Sequence, residues 1–204
     1  IEYDNHTFTS SEALFMYLKA KLFRDEYMAG VIAPSFYEEA KALGSIVRNF
    51  DEAIWERERE NAMYIALKAK LEVDSAYRET LLSEEYRGKT FVEASPSDEV
   101  WGIQLSIKDA SEGKKWDGLN LLGNLHTVIR DELLGLREPQ NREIKPITDE
   151  ELAAIEEAMK EMEKHSHCGA FCSHAHDDLT SYFRQNNDLP KLSGAYARPL
   201  ALKE

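Results

Sequence analysis

Cysteine is nearly absent from this chain. Cys168 and Cys172 are the only two in 204 residues, which excludes the disulfide framework of a small secreted domain. Long apolar runs are missing as well. No stretch approaches the roughly 20 apolar residues that cross a bilayer, and Ile1-Glu2-Tyr3-Asp4 lacks the character of a signal peptide. A soluble, cytoplasmic protein without a membrane partner is expected. Basic residues are in short supply, since 25 Lys and Arg stand against 38 Asp and Glu, a formal net charge of −13. That imbalance repels phosphates, so sequence-blind nucleic-acid binding is not expected, while a small basic pocket remains compatible with it. An initiating Met is also lacking, and a lead segment ahead of Ile1 is expected.

What is present is ample core material. Hydrophobic residues make up 43% of the chain and aromatic residues 10%, enough for one core with a small appendage. Helix signals dominate. Thr9-Ser10-Ser11-Glu12 carries a capping-box pattern ahead of an unbroken run of helix formers over residues 13–23. Ser35 with Glu38 repeats the pattern before a short helix that Gly44 closes. Asp51 is placed to cap a long helix over residues 52–72, whose apolar stripe includes Trp55, Ala62, Met63, Ala66 and Leu67. Further helices fit residues 76–83 and 120–134, the latter closed by Gly135, and Thr148 with Glu151 opens one that runs to about Lys164. Short strands are expected near residues 1–8, 90–94 and 103–107. The fold class is therefore mainly α with a few short β-strands. Pro139 and Pro146 bracket a polar stretch, which places a domain over residues 1–137 and a linker, helix and Cys/His-containing tail over 138–204.

Residues 91–103 concentrate the chemistry. The β-branched and aromatic run Thr90–Val92 reads as a buried strand and Ser95-Pro96-Ser97-Asp98 as a turn, so Glu93 and Asp98 fall where the chain leaves the core. Carboxylates at such a junction suit catalysis. Equally, Asp98 serves as a turn cap and Glu93 as an ordinary edge-strand charge. On the first helix Glu12, Met16 and Lys19 share a face by their spacing, with Phe15 and Phe23 beside them. Glu12 and Lys19 then lie about 10 Å apart along the axis, which leaves room for a bound molecule between them.

Several short segments stand in series along the chain. They are Ser11-Glu12, Met16 and Lys19-Ala20; Ala40-Lys41-Ala42-Leu43-Gly44; Val47, Phe50-Asp51 and Trp55; Lys68-Ala69-Lys70-Leu71; Val92-Glu93-Ala94-Ser95-Pro96 with Asp98; Trp101-Gly102-Ile103; and Trp116-Asp117-Gly118-Leu119-Asn120-Leu121-Leu122-Gly123 with Arg130. In order and spacing this series resembles the NADAR (YbiA-like) family. Two positions differ, since Ala13 stands where many members carry His or Gln, and Gln104 where many carry Gly. The resemblance implies a YbiA-like single domain followed by a C-terminal helical extension. It also implies an enzyme that cleaves the N-glycosidic bond between a ribose, as ribose phosphate or ADP-ribose, and a base-type nitrogen. ADP-ribosyl-guanine and ribosylamino-pyrimidine phosphates are the substrates that the family suggests.

Cleaving such a bond builds oxocarbenium-like charge on the sugar and requires a proton for the departing nitrogen, which is work for carboxylates on either side. Glu12, Glu93 and Asp98 are the candidates. A lysine of lowered pKa can instead attack the opened ribose and form a Schiff base, and the resemblance gives that role to Lys19. Trp101 offers a stacking face, Gly102 close approach of a ligand to the backbone, and Lys41 and Asn120 complete the substrate-binding set. Each has a bland alternative: a snorkelling lysine at Lys19, a core tryptophan at Trp101, a loop glycine at Gly102, a solvated Lys41 and a helix cap at Asn120. No cofactor is required for this chemistry.

Outside the resemblance, His165, His167, Cys168, Cys172, His174 and His176 fall within twelve residues. Thiolates with imidazoles suit zinc, which makes Cys168, Cys172, His174 and His176 a candidate structural zinc site. The alternative is a polar segment after a helix, with Lys164 and His165 favouring its C-terminus. Three functions compete. They are an N-glycosidase acting on a small-molecule or ADP-ribosylated substrate, a non-catalytic ADP-ribose or nucleotide-binding module to which Ala13 and Gln104 point, and an assembly protein that binds a partner. The oligomeric state is left open.

Overall fold

A computed structural model describes the backbone of residues 1–165 and 200–202, which form eight α-helices and four short strands. The mainly helical expectation holds. An antiparallel hairpin, β1 (Glu2–Tyr3) and β2 (His6–Thr7), reverses at Asp4 and Asn5, both in left-handed backbone. Then comes α1 (Ser11–Leu22), where Ser10 and not Thr9 is the N-cap, its hydroxyl accepting the Ala13 N–H at 3.1 Å. The Thr9 hydroxyl instead donates to the Ser35 carbonyl at 2.6 Å. Ala13, Leu14, Phe15, Tyr17, Leu18, Ala20 and Leu22 are all buried, so α1 is apolar around most of its girth. It is the central helix, packed on three sides by α2 (Glu26–Ile32), α3 (Tyr37–Gly44) and α4 (Glu52–Val73).

Local signals set several helix ends as expected. Asp51 caps α4 by accepting the Ile54 N–H at 2.9 Å. The capping box before α8 (Asp149–His165) is reciprocal, with the Thr148 N–H on Glu151 at 2.8 Å and the Glu151 N–H on Thr148 at 3.1 Å. After α5 (Ser75–Leu82) and β3 (Thr90–Val92), α7 (Leu121–Leu133) ends at Gly135, whose φ of 68° permits the closing turn.

Three expectations are corrected. Ser35 does not cap α3; its buried hydroxyl donates to the Ile32 carbonyl at 2.7 Å, and Phe36 occupies the N-cap position of α3 without a side-chain bond. Gly44 is the last residue inside α3 and not a stop signal, and a Cβ there would overlap the Met16 thioether of α1, so glycine sets how closely these helices approach. Residues 103–107 are not a strand, because Ser106 accepts the Asp109 N–H at 3.1 Å and starts α6 (Ile107–Ser111). Pattern alone also missed α2, which Asp25 caps through the Met28 N–H at 3.2 Å.

Residues 138–148 are irregular and run back across the helical core. Gln140 accepts the Tyr64 hydroxyl at 3.1 Å, Arg142 donates to the Glu60 carbonyl at 3.2 Å, and the Ile147 N–H donates to the Leu22 carbonyl at 2.8 Å. Ile147, and Ile155 on α8, are buried in the main core. β3 packs on α7 and pairs antiparallel with β4 (Leu200–Leu202), Thr90 opposite Leu202 and Val92 opposite Leu200.

Candidate active site

Lys19 sits on the α1 face that also carries Glu12, Phe15 and Met16. Its Nζ donates to the Gly44 carbonyl at 2.9 Å and lies 4.2 Å from the Phe50 ring centroid and 5.3 Å from that of Trp55. Burial pushes the amine below the ordinary lysine pKa, and Glu52 in the first turn of α4 opposes that shift. Glu12 lies two turns earlier, half-buried. Burial raises its carboxyl, while Lys41 of α3 pulls the other way. Lys41 itself is exposed to solvent.

A second group forms where β3 ends. The Glu93 N–H donates to Asn120 Oδ1 at 3.0 Å, and Asn120 Nδ2 donates to the Phe91 carbonyl at 3.0 Å. Asn120 is buried and left-handed at φ 56°, so its amide is taken up by the β3 backbone and fixes where Glu93 leaves the strand. Half-buried, Glu93 has its carboxyl pushed up by burial and, second, by the negative charge of Asp98. Asp98 also caps its own turn, since Oδ1 accepts the Val100 N–H at 3.0 Å and the Trp101 N–H at 2.7 Å. A Cβ on buried Gly102 would lie 3.0 Å from the Asp98 carbonyl and 3.1 Å from that of Glu93, so glycine is needed for the loop to close on itself. Gln104 adopts φ 58°, a left-handed conformation that suits the glycine common at this position in the family that the sequence resembles.

Phe15 joins the two groups. Its buried ring lies 5.2 Å from Trp55 and 5.4 Å, edge to face, from Trp101. Lys19 thus shares an aromatic wall with the loop of Glu93, Asp98, Trp101 and Gly102. Glu12 and Lys41 flank the Lys19 end. Phe50 and Glu52 had no role assigned from the sequence, although Phe50-Asp51 stands among the segments that carry the resemblance; the place of Phe50 over Lys19 comes from the tertiary fold. Chemically, a lysine of depressed pKa and a carboxyl of raised pKa make a nucleophile and a proton carrier.

Among the described residues no group of three or more His, Cys, Asp or Glu could hold a metal ion. The candidate ligands Cys168, Cys172, His174 and His176 lie outside the described residues. Nor is any described helix long and apolar enough to cross a membrane.

The fold and site define a helical protein with a lysine and carboxylate centre, and relatives sharpen this. Residues 1–134 match the NADAR domain. Over 128 residues the chain is 36% identical to N-glycosidase R617 of Acanthamoeba polyphaga mimivirus, covering 61% of this chain and 74% of that protein. It is 33% identical over 142 residues to protein irg-1 of Caenorhabditis elegans, covering 67% and 66%. The chloroplastic riboflavin biosynthesis protein PYRR of Zea mays is 35% identical over 102 residues, which is 48% of this chain but 15% of the maize protein. This chain belongs to the NADAR family.

Proposed function

We propose that this chain is an N-glycosidase that hydrolyses the bond between a ribose, carried as ribose phosphate or ADP-ribose, and a base-type nitrogen. NADAR membership and the similarity to an N-glycosidase support the reaction class. The observation that carries the mechanism is the Lys19 amine, desolvated against Phe50 and Trp55 and held by the Gly44 carbonyl. ADP-ribosyl-guanine and a ribosylamino-pyrimidine phosphate are the two substrates to try, the latter also in keeping with the PYRR relative.

The lone pair of the glycosidic nitrogen opens the ribose, C1′–O4′ breaks, O4′ is protonated with Glu12 as the donor, and a C1′=N iminium forms. Uncharged Lys19 Nζ adds to C1′. Glu93 gives a proton to the base nitrogen, which departs with the C1′–N electron pair, and takes one from Nζ, leaving a C1′=Nζ Schiff base. Water adds to C1′ and expels the Lys19 amine, so the net change is hydrolysis. Burial first, and then the negative charge of Asp98, favours the acid form of Glu93. Trp101 would stack on the sugar or base, Gly102 and Asn120 shape the Glu93 loop, and Lys41 would meet a phosphate.

A non-catalytic ADP-ribose module is the alternative that Ala13 and Gln104 raise. Ala13, however, is fully buried, and Gln104 keeps the left-handed backbone that a glycine would adopt there. Turnover separates the readings. Wild type, Lys19→Ala and Glu93→Ala are incubated with ADP-ribosyl-guanine DNA and with a ribosylamino-pyrimidine phosphate, and products are followed by mass spectrometry. Release by wild type that disappears in both variants is expected. ADP-ribose binding without release from either substrate would favour the non-catalytic module.

A further inference from the structure

Phe50 is an exposed aromatic with a defined position. The residue is 38% exposed, yet its ring centroid lies 4.2 Å from Lys19 Nζ and 5.3 Å from that of fully buried Phe23. Residues 48–50 that carry it have no helix or strand, and the geometry is set from outside. Arg48 grips the Asp25 carboxylate through its backbone N–H at 2.9 Å, Nε at 3.1 Å and an Nη at 2.5 Å. The Asp25 side chain is 0% exposed against 58% for Arg48, so the loop is tied to a buried anchor from its solvent side. Asn49, left-handed at φ 57°, donates its amide to the Phe23 carbonyl at 3.1 Å. Three side chains therefore fasten a short loop to the turn between α1 and α2, and what that loop delivers is a ring on the amine.

We propose that Phe50 is a positioning cap on Lys19, held over Nζ by the Asp25–Arg48 pair and the Asn49 amide, which keeps water from the amine and aims it for attack. The attack itself rests on the N-glycosidase reading; the cap does not. Two effects of the ring oppose each other: excluding water disfavours the ammonium, while the ring face attracts it. Burial lowers the Lys19 pKa against the facing charge of Glu52 of α4, Gly44 of α3 contributes a carbonyl, and Lys41 of α3 faces Glu12. The two effects separate by substitution. Phe50→Ala removes both, whereas Phe50→Leu keeps an apolar cover without a ring face.

The test reads Lys19 without turnover. The full chain is labelled with a limiting pulse of acetic anhydride across pH 6–11, and acetylation of the Lys19 peptide is followed by mass spectrometry against exposed Lys108 as internal standard. The midpoint for Lys19 should rise in Phe50→Ala, stay at or below wild type in Phe50→Leu, and be restored in Phe50→Tyr. Arg48→Met should shift it in the direction of Phe50→Ala, and Arg48→Lys should recover part of that shift. An unchanged or lowered midpoint in Phe50→Ala, with the fold intact by circular dichroism, overturns the cap. Failure of the glycosidase reading would show separately, as no product release by a wild type whose Lys19 midpoint is still depressed.

Discussion

At the scale of single residues, the candidate site rests on two groups that burial pushes toward their neutral forms. Lys19 gives up hydration for a carbonyl and two aromatic rings, and Glu93 gives it up beside another carboxylate. Removing the amine should abolish the covalent route, so Lys19→Ala is expected to lower kcat by about 10²–10⁴-fold with the fold retained, as measured by product release and circular dichroism. Glu93 carries a signature in stability. Burial raises its folded pKa above the unfolded value of about 4.3, so its contribution to stability is fully present below the unfolded pKa and is lost as pH rises through the folded one. Glutamine cannot ionise and escapes that loss. Glu93→Gln should therefore melt higher than wild type at pH 7, converge with it near pH 4, and lose activity, a trade between stability and function visible in paired melts and assays. A lower melting temperature at pH 7 would contradict the assignment of burial as the cause.

At the scale of elements, what the sequence made legible was local chemistry. Asp51 and the Thr148 and Glu151 box act within one helical turn of themselves, and so their patterns read true. Ser35 carried the same pattern and failed, because its hydroxyl turned back to Ile32 and left α3 uncapped. The alternation of apolar and polar residues over 103–107 looked like a strand, but the Ile103 N–H donates to the Glu93 carbonyl before Ser106 starts a helix. Gly44 shows the limit most clearly, since its position facing Met16 is set by the crossing of two helices and no neighbour in sequence announces it. Gly44→Ala should thus cost about 1–3 kcal/mol by overpacking, and it should also disturb the carbonyl that holds Lys19. Chemical denaturation with a parallel activity assay checks both; loss of stability with unchanged turnover would separate packing from positioning.

At the scale of the whole molecule, residues 138–155 act as a strap on the central helix. Ile147 and Ile155 are buried in the main core, Ile147 bonds to Leu22, and Asp149 and Glu151 reach Arg24 at 2.5 Å and Arg57 at 3.4 Å. Each buried isoleucine contributes about 1.5–3 kcal/mol, so a chain ending at residue 137 should melt well below one ending at residue 165, measured side by side by calorimetry. The site shows the same dependence on long-range order. Glu12, Lys19, Glu93, Asp98 and Trp101 were recognisable one by one, but only the fold shows Phe15 bridging the two aromatic groups, or the Asp25–Arg48 pair fixing Phe50 over the amine. The claim that unites these scales is that Lys19 is the nucleophile toward C1′ of a ribosyl substrate. It is tested most directly by adding sodium cyanoborohydride to the protein during reaction with ADP-ribosyl-guanine DNA or a ribosylamino-pyrimidine phosphate, then mapping the adduct. A reduced ribosyl adduct on Lys19, absent in Lys19→Ala, is the predicted result. Substrate cleavage that proceeds with no adduct on Lys19, or unabated in Lys19→Ala, would contradict the account.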